Sequence, residues 1–206
     1  MRARASVCPT SFLLGTGGGE DLGGSPTATL TSSQSTGGLE MAVPSVPQEG
    51  RNENRAILAL DLGSQMGWAL HHPDGSIVSG TMSFKLGRFE GGGMQWVRFK
   101  HWLDELGAAV VLEQIYFEEV RRHIGTTAAH VYGGFLAHLT EWAENSEVPY
   151  QGVPVGTIKK SATGKGNASK AQVIHAMKRL GHQPADDNES DALALLHYVL
   201  GKGGAR

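Results

Sequence analysis

The chain has 206 residues, a formal net charge of −2 and 40% hydrophobic residues, enough for one domain with a sizeable core plus a tail. Its single cysteine, Cys8, excludes an intramolecular disulfide and a cysteine metal cluster, and points to a reducing, cytoplasmic setting. No run approaches the roughly 18 apolar residues that a membrane-crossing helix needs, so no membrane partner is expected.

Residues 1–54 differ in composition from the rest. The stretch SFLLGTGGGEDLGGSPTATLTSSQSTGG is rich in Gly, Ser and Thr and shows no sustained period of 2 or 3.6. It cannot bury enough apolar surface to fold, so residues 1–54 read as a disordered tail. Arg2 and Arg4 ahead of Ser11-Phe12-Leu13-Leu14 hint at a signal peptide, and the lack of acids in the first part of the tail at a transit peptide. The apolar stretch is too short and broken for the first. We adopt the plainer reading of a mis-called start, with translation beginning at Met41. The folded domain is expected over 55–201, with a short tail over 202–206.

The run Ala56-Ile57-Leu58-Ala59-Leu60, followed by Asp61 and then by Gly63, Ser64, Gly67 and Trp68, reads as a buried strand over 56–61. Loose alternation predicts a second strand over 66–72. His72-Pro73-Asp74-Gly75 is a hairpin turn signal, and a third strand over 76–84 completes an antiparallel meander. A glycine-rich loop covers 85–93. Trp96, Phe99, Trp102, Leu103 and Leu106 recur at helical spacing and predict a helix over 94–106. A strand over 110–118 follows, then a helix over 126–145 whose Tyr132-Gly133-Gly134 segment allows close backbone packing. A fifth strand covers 149–155 and a short helix 155–162. A helix over 169–180 has Ser169 as its cap and Gly181 as its stop. The last helix spans 188–200 and ends at Gly201. A meander followed by alternating helix and strand gives an α/β domain with a five-strand mixed sheet and helices on both sides.

An acid directly after an apolar run is a poor packing residue, because an isolated buried carboxylate is costly. Asp61 holds such a position. Glu118 follows Ile115-Tyr116-Phe117, and Asp191 lies among Asp186, Asp187, Asn188 and Glu189. Acids at two strand ends and one helix start suggest a carboxylate metal site. Clustered Asp and Glu without Cys or His suit a hard, oxygen-seeking ion, Mg2+ or Mn2+, rather than zinc. From Gly156 to His182 there are six basic residues and no acid: Lys159, Lys160, Lys165, Lys170, Lys178 and Arg179. A basic surface beside an acidic pocket suits a polyanion held over metal ions. The plainer alternative is a solvated basic helix.

The order of these acids resembles the ribonuclease H-like superfamily and, within it, the RuvC Holliday-junction resolvases. Phe117-Glu118-Glu119-Val120 resembles the family's Glu-Gln-Val strand end, which places its catalytic glutamate on Glu118 rather than Glu119. The stretch IKKSATGKGNASKAQV over 158–173 resembles the family's lysine block without a gap. It puts the two DNA-contacting lysines on Lys159 and Lys170. Asp191-Ala192-Leu193-Ala194 resembles the family's Asp-Ala-Leu-Ala. The loop from Arg88 to Met94 looks more like phage and prophage members. The resemblance covers about residues 56–200.

It implies a ribonuclease H-like five-stranded mixed sheet flanked by helices, and a metal-dependent endodeoxyribonuclease cutting four-way DNA junctions in recombination, repair or phage DNA processing. Asp61, Glu118 and Asp191 would be the catalytic residues and hold two Mg2+ or Mn2+ ions. Lys160, Lys165, Arg121 and Arg122 would join Lys159 and Lys170 on the DNA. The active unit would be a homodimer joined along the helix over 126–145. One departure stands out. The family often has a further ligand, commonly Asp, three residues before the last Asp, and that position is Asn188. The spacing puts Asn188 on the same helix face as Asp191, where it offers an uncharged carbonyl oxygen or serves as the helix cap. Asp187 takes the ligand role if the helix starts early, while Glu189 should point elsewhere. The histidines His123, His130, His175 and His197 read as surface or packing residues. Competing readings are a non-catalytic branched-DNA binder of the same fold, a nuclease of broader range, and an actin-like ATPase. The last shares the Asp-x-Gly-Ser pattern but normally has two such domains.

Overall fold

The apolar run that opens the domain is β1 (Ala56–Asp61), and the two faces of its pleat serve two different cores. Leu58 and Leu60 enter one and Ala59 the other, as period-2 alternation requires. The structure, a computed structural model, describes residues 55–121 and 125–203. The tail expected over 1–54, its signal, transit and Met41 readings, Arg122 and His123 lie outside the described residues.

β1 pairs antiparallel with β2 (Gln65–His71), which pairs antiparallel with β3 (Ile77–Ser83). The turn between them closes through Gly75, at φ 85°, whose N–H donates to the His72 carbonyl at 3.0 Å. On its other side β1 pairs in parallel with β4 (Leu112–Glu119), which pairs in parallel with β5 (Tyr150–Pro154). The sheet order is β3-β2-β1-β4-β5. Parallel neighbours need a crossover. α1 (Met94–Ala109) leads into β4, and α2 (Thr126–Asn145) carries the chain from β4 to β5.

α1 and α2 cover one face. Phe84, Phe99 and Phe135 meet there with ring centroids 5.1 to 5.6 Å apart. Gly134 makes room for the Trp96 ring, which a Cβ at that position would meet at 2.3 Å, while Gly133 faces open space. The close packing expected of this pair is therefore a ring laid against the helix, not backbone against backbone. α3 (Val155–Thr163), α4 (Lys170–Arg179) and α5 (Asp187–Gly203) cover the other face with Ile158, Val173, Met177, Leu193 and Leu196. Under α5 the sheet offers two small cross-strand pairs, Ala59 with Ala69 and Asp61 with Gly67.

Two boundaries differ from expectation. α5 does not stop at Gly201 but runs to Gly203. A glycine ends a helix when it turns left-handed, and the positive-φ glycines among the described residues are Gly75, Gly164 and Gly181. α5 also starts at Asp187, so Asn188 lies inside the first turn rather than capping it. The cap is Asp186, whose Oδ1 accepts from the Glu189 N–H at 2.9 Å. Among the described residues no helix is long and apolar enough to cross a membrane.

Candidate metal centre

Parity of the strands sets the site. Asp61 follows Ile57 and Ala59 on the α5 face of β1. On β4, Tyr116 packs on the same face, and Glu118 is two residues further on. The ladder of β1 with β4 ends at Leu60–Phe117, so Asp61 and Glu118 lie one step beyond it, side by side at the strand ends. Parallel strands are about 4.8 Å apart, so two carboxylates so placed repel strongly.

The third carboxylate comes down from α5, and Gly67 makes that possible. Gly67 is the antiparallel partner of Asp61. A Cβ on it would lie 1.8 Å from the carbonyl oxygen of Asn188 and 2.2 Å from its carbonyl carbon. The first turn of α5 therefore rests on bare backbone of β2. Asp191, one turn further along, is carried over the strand ends. Nothing in the sequence pattern distinguished Gly67 from an ordinary glycine within a strand.

The three carboxylates lie close enough for their charges to interact. Burial first, then Glu118 and Asp191, push the Asp61 carboxyl well above its ordinary range. Burial and then Asp191 raise Glu118 from 4.5 to about 7. Burial raises Asp191 as well. Lys159 and Lys170 oppose these shifts, both acting on Glu118 and on Asp191. Lys170 is placed by the capping box of α4: the Gln172 N–H donates to Ser169 Oγ, and the Ser169 N–H to Gln172 Oε1 at 2.8 Å. Lys160 and Lys165 are exposed, and neither is among the charges acting on the three acids.

Neighbouring acids have other duties. Lys170 Nζ donates to Asp187 Oδ2, which pulls the Asp187 carboxyl below its ordinary value. Glu189 is buried and points away from the site, as expected: its Oε1 accepts from Ser79 Oγ at 2.7 Å and its Oε2 from the Ala185 N–H at 2.7 Å. Asp186 also accepts from Thr81 Oγ1 at 2.7 Å. Arg121 pairs with Glu119 at 3.2 Å. Tyr132, reached from α2, is a positioning residue that sequence reasoning treated only as a helix residue. Its hydroxyl donates to the Glu118 carbonyl at 3.0 Å and accepts from the Val120 N–H at 3.4 Å, fixing the end of β4. Of the histidines, His130 and His175 are exposed, while His197 packs head-on against His182 with Nε2 atoms 2.6 Å apart.

The donor set is all carboxylate, and its mutual repulsion is what a hard cation relieves. Asp61, Glu118 and Asp191 fit such an ion. Among the described residues, no three of the His, Cys, Asp and Glu side chains are already closed around a single point. The three acids sense one another's charge without forming a finished cage.

No family model matches the chain. A relative from Nocardia farcinica, named crossover junction endodeoxyribonuclease RuvC, is 34% identical over 105 residues, which is 48% of this chain and 52% of the relative. The chain thus spans about half the length of the curated relative it matches. Among solved structures, Thermus thermophilus RuvC in complex with a Holliday junction substrate superposes with a TM-score of 0.57 at 19% identity, over 68% of this chain and 90% of that one. Another Thermus thermophilus RuvC structure gives 0.56 at 19% identity, over 72% and 96%. The chain therefore has the fold of the RuvC structures, and about half its length aligns with a RuvC sequence.

Proposed function

We propose that the chain is a metal-dependent endodeoxyribonuclease that cuts branched DNA, with the four-way junction as its substrate. The observation that carries this is the group of three mutually repelling carboxylates, Asp61, Glu118 and Asp191, set beside Lys159 and Lys170. A structural framework has no use for three part-buried acids whose pKa values are all raised, Asp61 by both of the others and Glu118 by Asp191. Cation binding does, because it turns that repulsion into affinity.

Asp61, Glu118 and Asp191 would hold two Mg2+ or Mn2+ ions, which supply the Lewis acidity that phosphodiester hydrolysis needs at neutral pH. The protein's own residues do the rest. Gly67 seats α5 so that Asp191 faces the two strand ends. Tyr132 fixes the backbone that carries Glu118. Lys159 and Lys170 hold the phosphate backbone next to the acids, a contact that positions DNA without reading its sequence. Asp187 is held by Lys170 and Asn188 is uncharged, so both stand behind the main three as ligands. Lys160, Lys165, Arg121 and Arg122 extend the DNA contact beyond the site.

A junction needs two symmetric cuts and the described residues carry one such site, so the active unit is a homodimer, built on α2, in the cytoplasm. The test is cleavage of four-way, flap and linear DNA in magnesium, manganese or EDTA, with Asp61→Asn alongside. Cleavage of the four-way form that depends on the ion and disappears in Asp61→Asn, with junction binding retained, supports the proposal. Equal cutting by parent and variant refutes it. Cutting of flaps as readily as junctions, by a species that sediments as a monomer, would show a broader nuclease.

A further inference from the structure

The turn that ends α4 hands a histidine to α5. Leu180 closes the helix and Gly181 turns left-handed at φ 95°. The Gly181 N–H then donates to the Lys178 carbonyl at 3.0 Å, and the His182 N–H to the Met177 carbonyl at 3.2 Å. In such a glycine stop, the second residue beyond the cap is fixed against the last helical turn. His182 is thereby set against His197 of α5, with Nε2 atoms 2.6 Å apart and ring centroids 4.9 Å apart. The centroid separation equals the Nε2 separation plus the two ring radii, so both nitrogens lie on the line between the rings. The gap is too narrow for an ion on that line, which needs two metal–nitrogen bonds of about 2 Å each. It fits one shared proton: one Nε2 donates and the other accepts.

Nothing that acts on His197 favours its charge. From β2 comes His71, two residues beyond Ala69 and so on the α5 face. From α4 comes Arg179, which with His197 lines a cavity of about 370 Å³. α3 lines the same cavity with uncharged Ser161 and Ala162. Next to His197 on α5, Tyr198 lies under the Lys202 ammonium, 4.7 Å from its ring centroid. Burial first, then His182, then His71 hold the His197 imidazole below its ordinary value, and no carboxylate is among the charges acting on it. The pair tolerates one extra proton, which sits on an Nδ1 away from the gap and leaves the shared proton in place. A second must enter the gap, where two N–H groups meet head-on between two like charges. The cavity gives the His197 ring room to swing away when that happens.

The connection from Gly181 to Asp186 joins α4, which starts at Lys170, to α5, which carries Asp191. Its far end is fastened by the Ala185 N–H on Glu189 and by the Asp186 cap. The histidine pair fastens its near end. We propose that His182 and His197 form a proton-operated clasp on this connection, closed by one shared proton at neutral pH and opened in acid when each Nε2 carries its own, so that the joint between the lysine helix and the carboxylate helix loosens. The clasp needs neither DNA nor metal, so it stands or falls apart from the nuclease reading. The test is nitrogen NMR of the imidazoles and amide hydrogen exchange on the full chain in EDTA, from pH 8 to 4.5, with His182→Asn and His197→Asn alongside. At pH 8 the parent should show one of the two Nε2 atoms protonated and the other bare, and in acid both protonated. Exchange over residues 182–186, corrected for its intrinsic rate, should quicken by about tenfold in acid, and both variants should exchange at the fast rate throughout. His197→Asn should melt about 2–4 °C below the parent at pH 8. That difference should shrink in acid, because a histidine held below its ordinary 6.5 contributes stability that is whole above that pH and is lost as pH falls beneath it. The three acids act on parent and variant alike and leave the difference untouched. Two Nε2 atoms in the same state at pH 8 overturn the clasp. So does parent exchange that ignores pH, or a melting difference that is constant across the range. If Zn2+ in place of EDTA stabilises the parent and not His197→Asn, the pair is a metal site and the proposal is wrong.

Discussion

Glu118→Gln should make the metal-free protein more stable at neutral pH and above, and leave it unchanged near pH 4. The Glu118 carboxyl titrates at about 7 in the fold against an ordinary 4.5, because burial and Asp191 disfavour its charge. An acid whose pKa rises on folding binds its proton more tightly in the native state. Its stabilising contribution is complete below about pH 4.5 and is lost as pH climbs through about 7. The size of the shift corresponds to a loss of about 3 kcal/mol between those limits. Glutamine has nearly the same shape and no charge, so the variant lacks this decline. Asp61 and Asp191 are raised too, so the variant keeps a shallower slope of the same sign. Part of that slope also goes, because the Glu118 charge is one cause of the Asp61 shift. For a domain of this size, about 3 kcal/mol is roughly 6 to 12 °C in melting temperature. The assay is a set of thermal melts of parent and variant from pH 4 to 8 in EDTA, repeated with millimolar magnesium or manganese. The two should coincide near pH 4, separate from about pH 5 and differ fully by about pH 7, with the variant higher. The divalent ion should raise the parent at pH 8 and raise the variant less. Parallel curves across the whole range would refute the reasoning, and so would a variant less stable at every pH.

Lys170→Ala should weaken junction binding and flatten its dependence on log salt by about one unit, the signature of one lost phosphate contact. Filter binding from 50 to 300 mM salt reads this, and an unchanged slope would mean the lysine serves Asp187 alone. Gly67→Ala should displace the first turn of α5, because the new Cβ meets the Asn188 carbonyl at 1.8 Å. A cost of about 1–3 kcal/mol in denaturant unfolding is expected for such overpacking. Mn2+ affinity, read by calorimetry, should fall as Asp191 moves off the strand ends; full affinity in the variant would show that α5 does not depend on this contact.

Much of this architecture is visible in local pattern. β1 and α2 have the bounds expected of them, because an apolar run ending in turn residues and a 3.6-residue repeat are signals that need no knowledge of the rest of the chain. Asp61 and Glu118 were legible for the same reason: a carboxylate closing a buried strand is anomalous wherever the strand lies. Gly67 was not. Its role exists only because α5, more than a hundred residues later, crosses β2 at that point, and no local period encodes a crossing. Tyr132 was missed likewise, since a hydroxyl reaching from α2 to the end of β4 is tertiary information. Gly201 misled because glycine is a frequent stop, yet the residue can equally continue a helix.

The first turn of α5 shows how packing divides labour among residues that composition treats alike. Asp186, Asp187, Glu189 and Asp191 form one acidic stretch in the sequence, but successive helix positions face directions about 100° apart, and only residues three or four apart share a face. Asp186 stands just outside and caps the helix while binding Thr81. Glu189 faces β3 and fastens the helix to Ser79. Asp187 and Asp191, four apart, face the strand ends together, and Lys170 settles on the outer of the two. Asp187 raises and Lys170 lowers the pKa of both Asp61 and Asp191, so the two members of the ion pair act in opposite directions at the site. The full negative charge offered to a cation is thus that of the inner three acids. On the proposed function, an incoming phosphate would compete with Asp187 for the Lys170 ammonium, and each phosphate contact made there would leave Asp187 nearer to ligating the cation. The basic block and the acidic pocket are one electrostatic unit joined at this pair, which is why Lys170→Ala should alter metal affinity as well as DNA binding, whereas Lys160→Ala should alter DNA binding only.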